Sequence, residues 1–257
     1  MAKTICIANQ KGGVGKTTTS VNLAASLAVA ERRTLLVDMD PQGNAGSGVG
    51  IDKEALEESI YDALINDVDP AGLVLKTALP FLDILPSTSD LAGAELELVT
   101  VSGREQKLQK VLASLSDAYD YVLIDCPPSL NLLTINAMTA AGSVLIPLQC
   151  EFYAMEGLSQ ILKTIGLIQK GLNRALRIEG ILLTMFDARN NLSRQVSDEI
   201  RSHFKEQTFA TVIPRNVRLS EAPSHGKPIM LYDITSRGAV SYMELAKEII
   251  SREARHG

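Results

Sequence analysis

The stretch NQKGGVGKTTT at residues 9–19 lies directly between an apolar, strand-like run at residues 4–8 and a helical pattern at residues 16–30. Its glycines permit backbone angles that other residues rarely adopt, so successive N–H groups of the loop can point inward around an anion. The helix that follows adds its free amides and the positive end of its dipole. A strand, a glycine-rich turn and a helix in this order predict a phosphate-binding loop.

Each part of this loop has a predicted role. The Lys16 ammonium is expected to reach the β- and γ-phosphates, and the Thr17 hydroxyl is expected to bind Mg²⁺. We therefore predict that ATP and Mg²⁺ are the cofactors. The predicted nucleotide-binding residues are Lys11, Gly12, Gly13, Val14, Gly15, Lys16, Thr17 and Thr18.

The loop departs from the usual pattern at its first position, where Gln10 replaces a glycine and Lys11 adds a second cation. A lysine at the beginning of the loop cannot easily fold back onto its own γ-phosphate, but it is able to reach the nucleotide of a second subunit. By analogy with arginine fingers, a cation supplied in trans accelerates phosphoryl transfer by about 10³ to 10⁵. Lys11 is therefore predicted to be catalytic and to lie at a dimer interface.

Two apolar strands end in carboxylates. YVLID at residues 121–125 is a Walker-B arrangement, in which Asp125 holds Mg²⁺ directly or through water. The run LLVDMD at residues 35–40 places Asp38 and Asp40 at the end of a second strand. We predict that Asp40 orients or activates the attacking water. Asp38 is predicted either to hold the Mg²⁺ shell or to be structural.

The remaining chain alternates between strand and helix patterns, which is typical of βαβ units. We predict an α/β P-loop NTPase fold, with a mainly parallel twisted sheet of about seven to eight strands and helices on both faces, in one domain spanning residues 1–257. The predicted strands are residues 4–8, 34–38, 81–85, 121–125, 143–147, 178–185 and 209–213. The predicted helices are residues 16–30, 104–115, 130–140, 157–170, 192–204 and 239–255.

The composition, 46% hydrophobic and 21% charged, is that of a globular protein. Cys6, Cys126 and Cys150 show no CxxC spacing and are predicted to be buried thiols in a reducing compartment. The first apolar run is too short for a signal peptide, so a cytoplasmic location is expected. Residues 1–150 carry 10 basic and 18 acidic side chains, whereas residues 151–257 carry 15 and 12. Binding to a polyanion is therefore expected to use the C-terminal half.

Four blocks together resemble the ParA/Soj chromosome-partition ATPases of the deviant Walker-A group. They are KGGVGKTT at residues 11–18, LLVDMDPQGNA at 35–45, VLIDCPPSL at 122–130 and TVIPRNVRLSEAPSHGKP at 211–228. The similarity covers practically the whole chain. It implies a homodimer that closes around ATP, binds double-stranded DNA without sequence preference on the nucleoid, and is stimulated to hydrolyse ATP by a ParB/Spo0J-type centromere-binding partner.

The resemblance also implies roles for individual residues. Lys11 and Gly12 would lie at the dimer interface, Lys16 would be essential for ATP binding, and Asp40 would be needed for hydrolysis. Arg189 and Arg218 match the DNA-contacting arginines of the family. The segment Pro214, Arg215 and Asn216 matches the residues expected near the adenine.

The charge pattern gives an independent view of DNA binding. Residues 170–218 hold nine basic and five acidic side chains, a balance of +4. By itself, this pattern is more often an ordinary solvated helix face. Dimerisation would join two weak patches into one surface, and phosphate contacts of this kind are sensitive to salt. The sequence has no basic tract with interspersed aromatic residues, so stacking on single-stranded nucleic acid is not expected.

Other classes share this type of loop. The main alternative is a MinD-like ATPase that cycles on a membrane, which would need an amphipathic C-terminal anchor. The final helix instead presents an apolar stripe suited to core packing. Residues 251–257, which follow this stripe, are expected to fray in solvent. A nitrogenase-reductase-like carrier or a metal-insertion scaffold would need cysteines presented at the surface. A DNA-binding protein without enzymatic activity leaves Lys11, Lys16, Asp40 and Asp125 unexplained.

Overall fold

A computed structural model describes residues 2–256, and its strands form one eight-stranded sheet. The strands are β1 (Lys3–Ile7), β2 (Thr34–Asp38), β3 (Leu75–Lys76), β4 (Leu82–Leu85), β5 (Tyr121–Asp125), β6 (Ser143–Gln149), β7 (Arg177–Phe186) and β8 (Thr208–Pro214). Their order is β3-β4-β2-β5-β1-β6-β7-β8, and every neighbouring pair is parallel except β3 with β4. The predicted α/β class and mainly parallel sheet are confirmed.

The helices lie singly or in groups between the strands and after β8. They are α1 (Lys16–Val29), α2 (Asn44–Gly48), α3 (Ile60–Ile65), α4 (Pro70–Leu73), α5 (Leu91–Glu97), α6 (Lys107–Ala113), α7 (Leu132–Ala140), α8 (Ala154–Gly171), α9 (Asn191–His203), α10 (Val217–Glu221), α11 (Ile229–Tyr232) and α12 (Arg237–His256). Each predicted helix corresponds to one of the longer helices. The shorter ones and the two-residue β3 were not predicted, because elements of a few residues do not establish a hydrophobic period.

Both faces of the sheet are covered, so its strands read as almost continuous apolar runs. Side chains alternate along β1: Cys6 belongs to one hydrophobic cluster, and Ile5 and Ile7 belong to the other. The first cluster includes side chains of α6, α7 and α8, and the second includes side chains of α1 and α12. All three cysteines are buried, as predicted.

The C-terminal helix α12 packs its apolar stripe on the second cluster, where Leu245 and Ile249 are fully buried. The expectation of a fraying end from residue 251 is wrong, because α12 continues to His256; Gly257 lies outside the described residues. Arg252 explains the continuation, since its guanidinium lies 4.3 Å from the ring centroid of Phe209 and 2.8 Å from the Glu248 carboxylate. Within residues 2–256, no helix has the length and apolarity needed to cross a bilayer.

Strand register brings the predicted acidic residues together. Asp125 at the end of β5 is level with Ile7 of β1 on one side and with Asp38 of β2 on the other. The phosphate loop begins just beyond β1. The C-terminal ends of these three adjacent strands therefore present the loop and the carboxylates at one edge of the sheet, where ligands bind in open α/β folds.

Two glycines offer a matched test of how tightly the molecule is packed. A Cβ on Gly180 of β7 would lie 2.6 Å from a ring carbon of the buried Phe209, whereas a Cβ on Gly166 of α8 would meet nothing within 4 Å. We expect Gly180→Ala to lower the free energy of unfolding by about 1–3 kcal/mol, because the added methyl group would overpack the core against the Phe209 ring. Gly166→Ala should raise it by roughly 0.5–1 kcal/mol, because alanine favours the helix. Urea unfolding measures both, and equal effects would contradict this packing.

Candidate functional site

The phosphate loop has the backbone geometry that its glycines predicted. Gly13 and Gly15 adopt left-handed conformations, with φ of 75° and 89°. Gly15 directly precedes α1, so the loop leads into the free amides of a helix N-terminus. The Thr184 hydroxyl near the end of β7 donates to the carbonyl of Val14 at 2.8 Å, which fixes the loop to a strand two positions away from β1 in the sheet.

Lys11 lies at the exposed rim of this loop. Its backbone N–H donates to the Asn9 side chain at 3.0 Å, while its ammonium forms an ion pair with Glu151, just beyond β6. The ring of Tyr153 lies 6.0 Å from the same ammonium. The Lys11 side chain is 41% exposed, and Gly12 beside it is exposed. Both residues predicted for the interface are thus accessible to a second subunit.

Lys16 points back across the loop and is buried. Its ammonium donates to the carbonyl of Lys11 at 3.0 Å. Burial lowers the pKa of Lys16, and the opposite charges of Asp125 and Asp40 raise it again in part. The loop thus holds a desolvated cation, which interacts more strongly with an incoming anion than a hydrated one does.

Asp125 is fully buried and ties β5 to α1. It accepts hydrogen bonds from the Thr17 and Ser20 hydroxyls, each at 2.7 Å. Burial is the main cause that raises the pKa of Asp125, and the two hydroxyl donors oppose it. A hydroxyl and a carboxylate side by side are the hard oxygen ligands that Mg²⁺ prefers. Thr17 and Asp125 therefore fit the predicted metal site.

Asp38 and Asp40 differ in what they contact. The Asp38 carboxylate accepts hydrogen bonds from the backbone N–H groups of Asp40 at 3.1 Å, Ala45 at 3.0 Å and Gly46 at 3.1 Å. Burial and the neighbouring Asp125 raise the pKa of Asp38. The Asp40 carboxylate accepts one hydrogen bond within residues 2–256, from the Gln42 N–H at 3.0 Å. This geometry favours the structural alternative for Asp38, and its metal role stays a prediction.

The predicted adenine segment lies beside the loop. A cavity of about 310 Å³ brings Pro214, Arg215 and Asn216 together with Gly15 and Thr18. These two sets are about 200 residues apart in sequence and meet because β8 and the phosphate loop lie at the same edge of the sheet. The rest of the lining is Thr184, Met185, Ile213, Leu219, Ser220, Pro223 and Tyr242. Its mixed apolar and polar character suits a nucleoside.

The two predicted DNA-contacting arginines differ in their surroundings. Arg189 follows β7; its side chain is 92% exposed and paired with Asp187 at 3.2 Å. Arg218 in α10 is paired with Glu221 at 2.9 Å and lies 3.6 Å from Asp233. A phosphate would compete with one carboxylate for Arg189 and with two for Arg218. Arg189 is therefore the more accessible of the two arginines, and DNA contact by either stays a prediction.

Sequence reasoning missed several supporting residues. Ser20 had a detectable signal, since it lies one helical turn after Lys16, on the face of α1 that meets Asp125. No sequence signal identified Asn9, Glu151 or Thr184, because each of these residues acts through a contact that forms only when the chain folds.

The chain is similar to known proteins over almost its whole length. A family model described as an AAA domain matches residues 2–178. Chromosome partitioning protein ParA of Myxococcus xanthus is 60% identical over 253 residues, which are 98% of this chain and 89% of that protein. Sporulation initiation inhibitor protein Soj of Bacillus subtilis is 59% identical over 249 residues, covering 97% of this chain and 98% of that protein.

A solved structure shares the fold over its full length. Cobyrinic acid a,c-diamide synthase from Mycobacterium smegmatis with bound ADP and magnesium superposes with a TM-score of 0.87 at 38% identity, covering 100% of this chain and 97% of that one. The matches to the two partition proteins cover 98% and 97% of this chain, so they include both the phosphate loop and the segment around residue 215. The chain therefore belongs to the ParA/Soj family of chromosome-partitioning P-loop ATPases.

Proposed function

We propose that this ATPase partitions DNA through a nucleotide-controlled dimer. Mg·ATP joins two copies face to face, the dimer holds duplex DNA without sequence preference, and hydrolysis releases it. A ParB/Spo0J-type centromere-binding partner stimulates the hydrolysis, and the ATP-bound form resides on the nucleoid in the cytoplasm. The observation that carries the proposal is the convergence of Lys11, Lys16, Asp40 and Asp125 at the ends of three adjacent strands.

ATP and Mg²⁺ are the expected ligands of this edge. A relative of the same fold is solved with ADP and magnesium. In this chain, Thr17 and Asp125 hold the metal, whose charge offsets that of the phosphates. Lys16 and the loop amides would bind the phosphates, and the base would enter the cavity beside the loop, which Pro214, Arg215 and Asn216 line.

Hydrolysis needs a positioned water and a compensating cation. Asp40 is 7% exposed and retains a carboxylate oxygen to which no hydrogen bond is assigned within the described residues, so it can accept a hydrogen bond from water. In this proposal Lys11 supplies the cation to the facing copy: its side chain is 41% exposed, and its ammonium would exchange the ion pair with Glu151 for a phosphate of that copy. A subunit alone lacks this second cation, so turnover is tied to dimer formation.

DNA retention rests on Arg189 and, more weakly, on Arg218. Each contributes one cation per subunit, and a single subunit therefore binds weakly. Two subunits joined by ATP present the arginines of both subunits to the same DNA, which raises the affinity for DNA without any new kind of contact. This dependence makes hydrolysis a timer for release.

The membrane-cycling alternative has less support. Such a protein needs an apolar helix face available for the bilayer surface. Within the described part of α12, the central apolar residues Leu245, Ala246 and Ile249 are already buried against the sheet.

Replacement of the proposed water-orienting residue should separate binding from turnover. We expect Asp40→Ala to bind ATP normally but to lower kcat by about 10²-fold or more, because general-base or water-positioning assistance is lost. The variant should accumulate as a dimer on DNA, measured by sedimentation and by a phosphate-release assay. Lys16→Ala is the control and should fail to bind ATP. Normal hydrolysis by Asp40→Ala would disprove the role given to Asp40.

Charge reversal at the exposed arginine should affect DNA alone. We expect Arg189→Glu to weaken retention on plain duplex DNA at least about tenfold, since phosphate contacts dominate such binding, and to leave ATP-dependent dimerisation intact. Arg33→Glu is the matched control: Arg33 is 55% exposed and also paired with an aspartate, but it precedes β2 at the opposite edge of the sheet. If Arg189→Glu loses dimerisation as well, Arg189 is an interface residue instead.

A further inference from the structure

Two glycines outside the nucleotide site bring their backbones into direct contact. Gly50 and Gly226 both adopt left-handed conformations, with φ of 91° and 61°. A Cβ on Gly50 would lie 3.0 Å from the carbonyl oxygen of Gly226, and a Cβ on Gly226 would lie 3.2 Å from the Cα of Gly50. A Cβ at either position would force the facing backbone to move by a few tenths of an ångström. We call this pair the glycine contact.

On one side, the glycine contact holds the segment that follows Asp40. Gly50 comes two residues after α2, and the Gly50 N–H donates to the carbonyl of Ser47 at 3.2 Å. The N-terminal amides of α2 donate to Asp38, two residues before Asp40. Helix α2 has only five residues, too few to be stable without tertiary support. The position of the Asp40 loop therefore depends on what α2 packs against.

On the other side, the contact leads back to the helix of the phosphate loop. Three residues after Gly226, the backbone N–H of Ile229 donates to the Asn22 side chain of α1 at 2.7 Å. Residue Val21, next to Asn22, packs against α2, because a Cβ on Gly48 would lie 3.0 Å from its Cγ2. Helix α1, α2 and the segment after α10 thus form a closed ring, in which the glycine contact joins backbone to backbone.

We propose that Gly50 and Gly226 are positioning residues for hydrolysis. Their contact presses α2 against α1 and thereby fixes the distance between Asp40 and the phosphate loop at the beginning of α1. It also joins the segment that bears Arg218 to the segment that bears Asp40. This proposal rests on the proposed function, because the glycine contact would affect ATP hydrolysis through the position of Asp40.

The test compares two alanine substitutions at left-handed glycines. Gly226→Ala adds a methyl group into the contact. Gly103→Ala is the matched control, because Gly103 has φ of 70° but a Cβ there would meet nothing within 4 Å. A displacement of about 1 Å at a catalytic group costs up to about 10²-fold in rate, and the added methyl group requires a shift of a few tenths of an ångström. Gly226→Ala should therefore lower kcat by about 3- to 10-fold and change the Kd for ATP by less than about twofold. Gly103→Ala should keep the wild-type kcat.

Hydrogen exchange supplies a second readout that a general loss of stability does not reproduce. The amides of Ala45 and Gly46 should exchange faster in Gly226→Ala than in Gly103→Ala, because α2 loses its support, whereas the amides of the central strands β1 and β5 should exchange at the same rate in both variants. If Gly226→Ala does not fold, Gly50→Ala probes the same contact from its other side. The proposal is overturned if the folded contact variant retains the kcat of Gly103→Ala. Failure of the underlying function is distinguishable, since Asp40→Ala would then also hydrolyse ATP normally.

Discussion

The buried carboxylate of Asp125 is the group on which the rest of the site depends. Its oxygens accept hydrogen bonds from the hydroxyls of Thr17 and Ser20, and its backbone carbonyl accepts one from the Met39 N–H at 2.9 Å. One residue thereby joins the sheet, the phosphate-loop helix and the end of β2. Placing a carboxylate away from water is costly unless it is hydrogen-bonded or binds a cation. The two hydroxyls offset part of this cost, and a cation bound beside the loop would offset more of it.

The charges at this edge of the sheet are only partly compensated. Lys16 is buried with Asp125 and Asp40 as its opposite charges, and Lys11 pairs with Glu151. A triphosphate would bring further negative charge to both lysines. In the proposed cycle, Lys11 exchanges an intramolecular carboxylate for a phosphate of the facing subunit. Nucleotide binding and subunit association then depend on the same electrostatic interaction.

Much of this arrangement could be predicted from the sequence, and the limits have physical causes. The phosphate loop is local: strand, glycines and helix are consecutive, so residues 4–30 specify it without the rest of the chain. Asp125 was identifiable because it ends an apolar strand. The association of Pro214, Arg215 and Asn216 with the loop came from family likeness, because no local pattern encodes a contact over 200 residues. Asp38 was ambiguous, because its hydrogen bonds are made to the short helix α2, which lacks a periodic signal.

The central claim is that two copies close around nucleotide. Sedimentation velocity with a non-hydrolysable ATP analogue and Mg²⁺, with ADP and Mg²⁺, and without nucleotide tests it most directly. The account predicts a dimer with the analogue and a single subunit in the other two conditions. A single subunit at saturating analogue would contradict it.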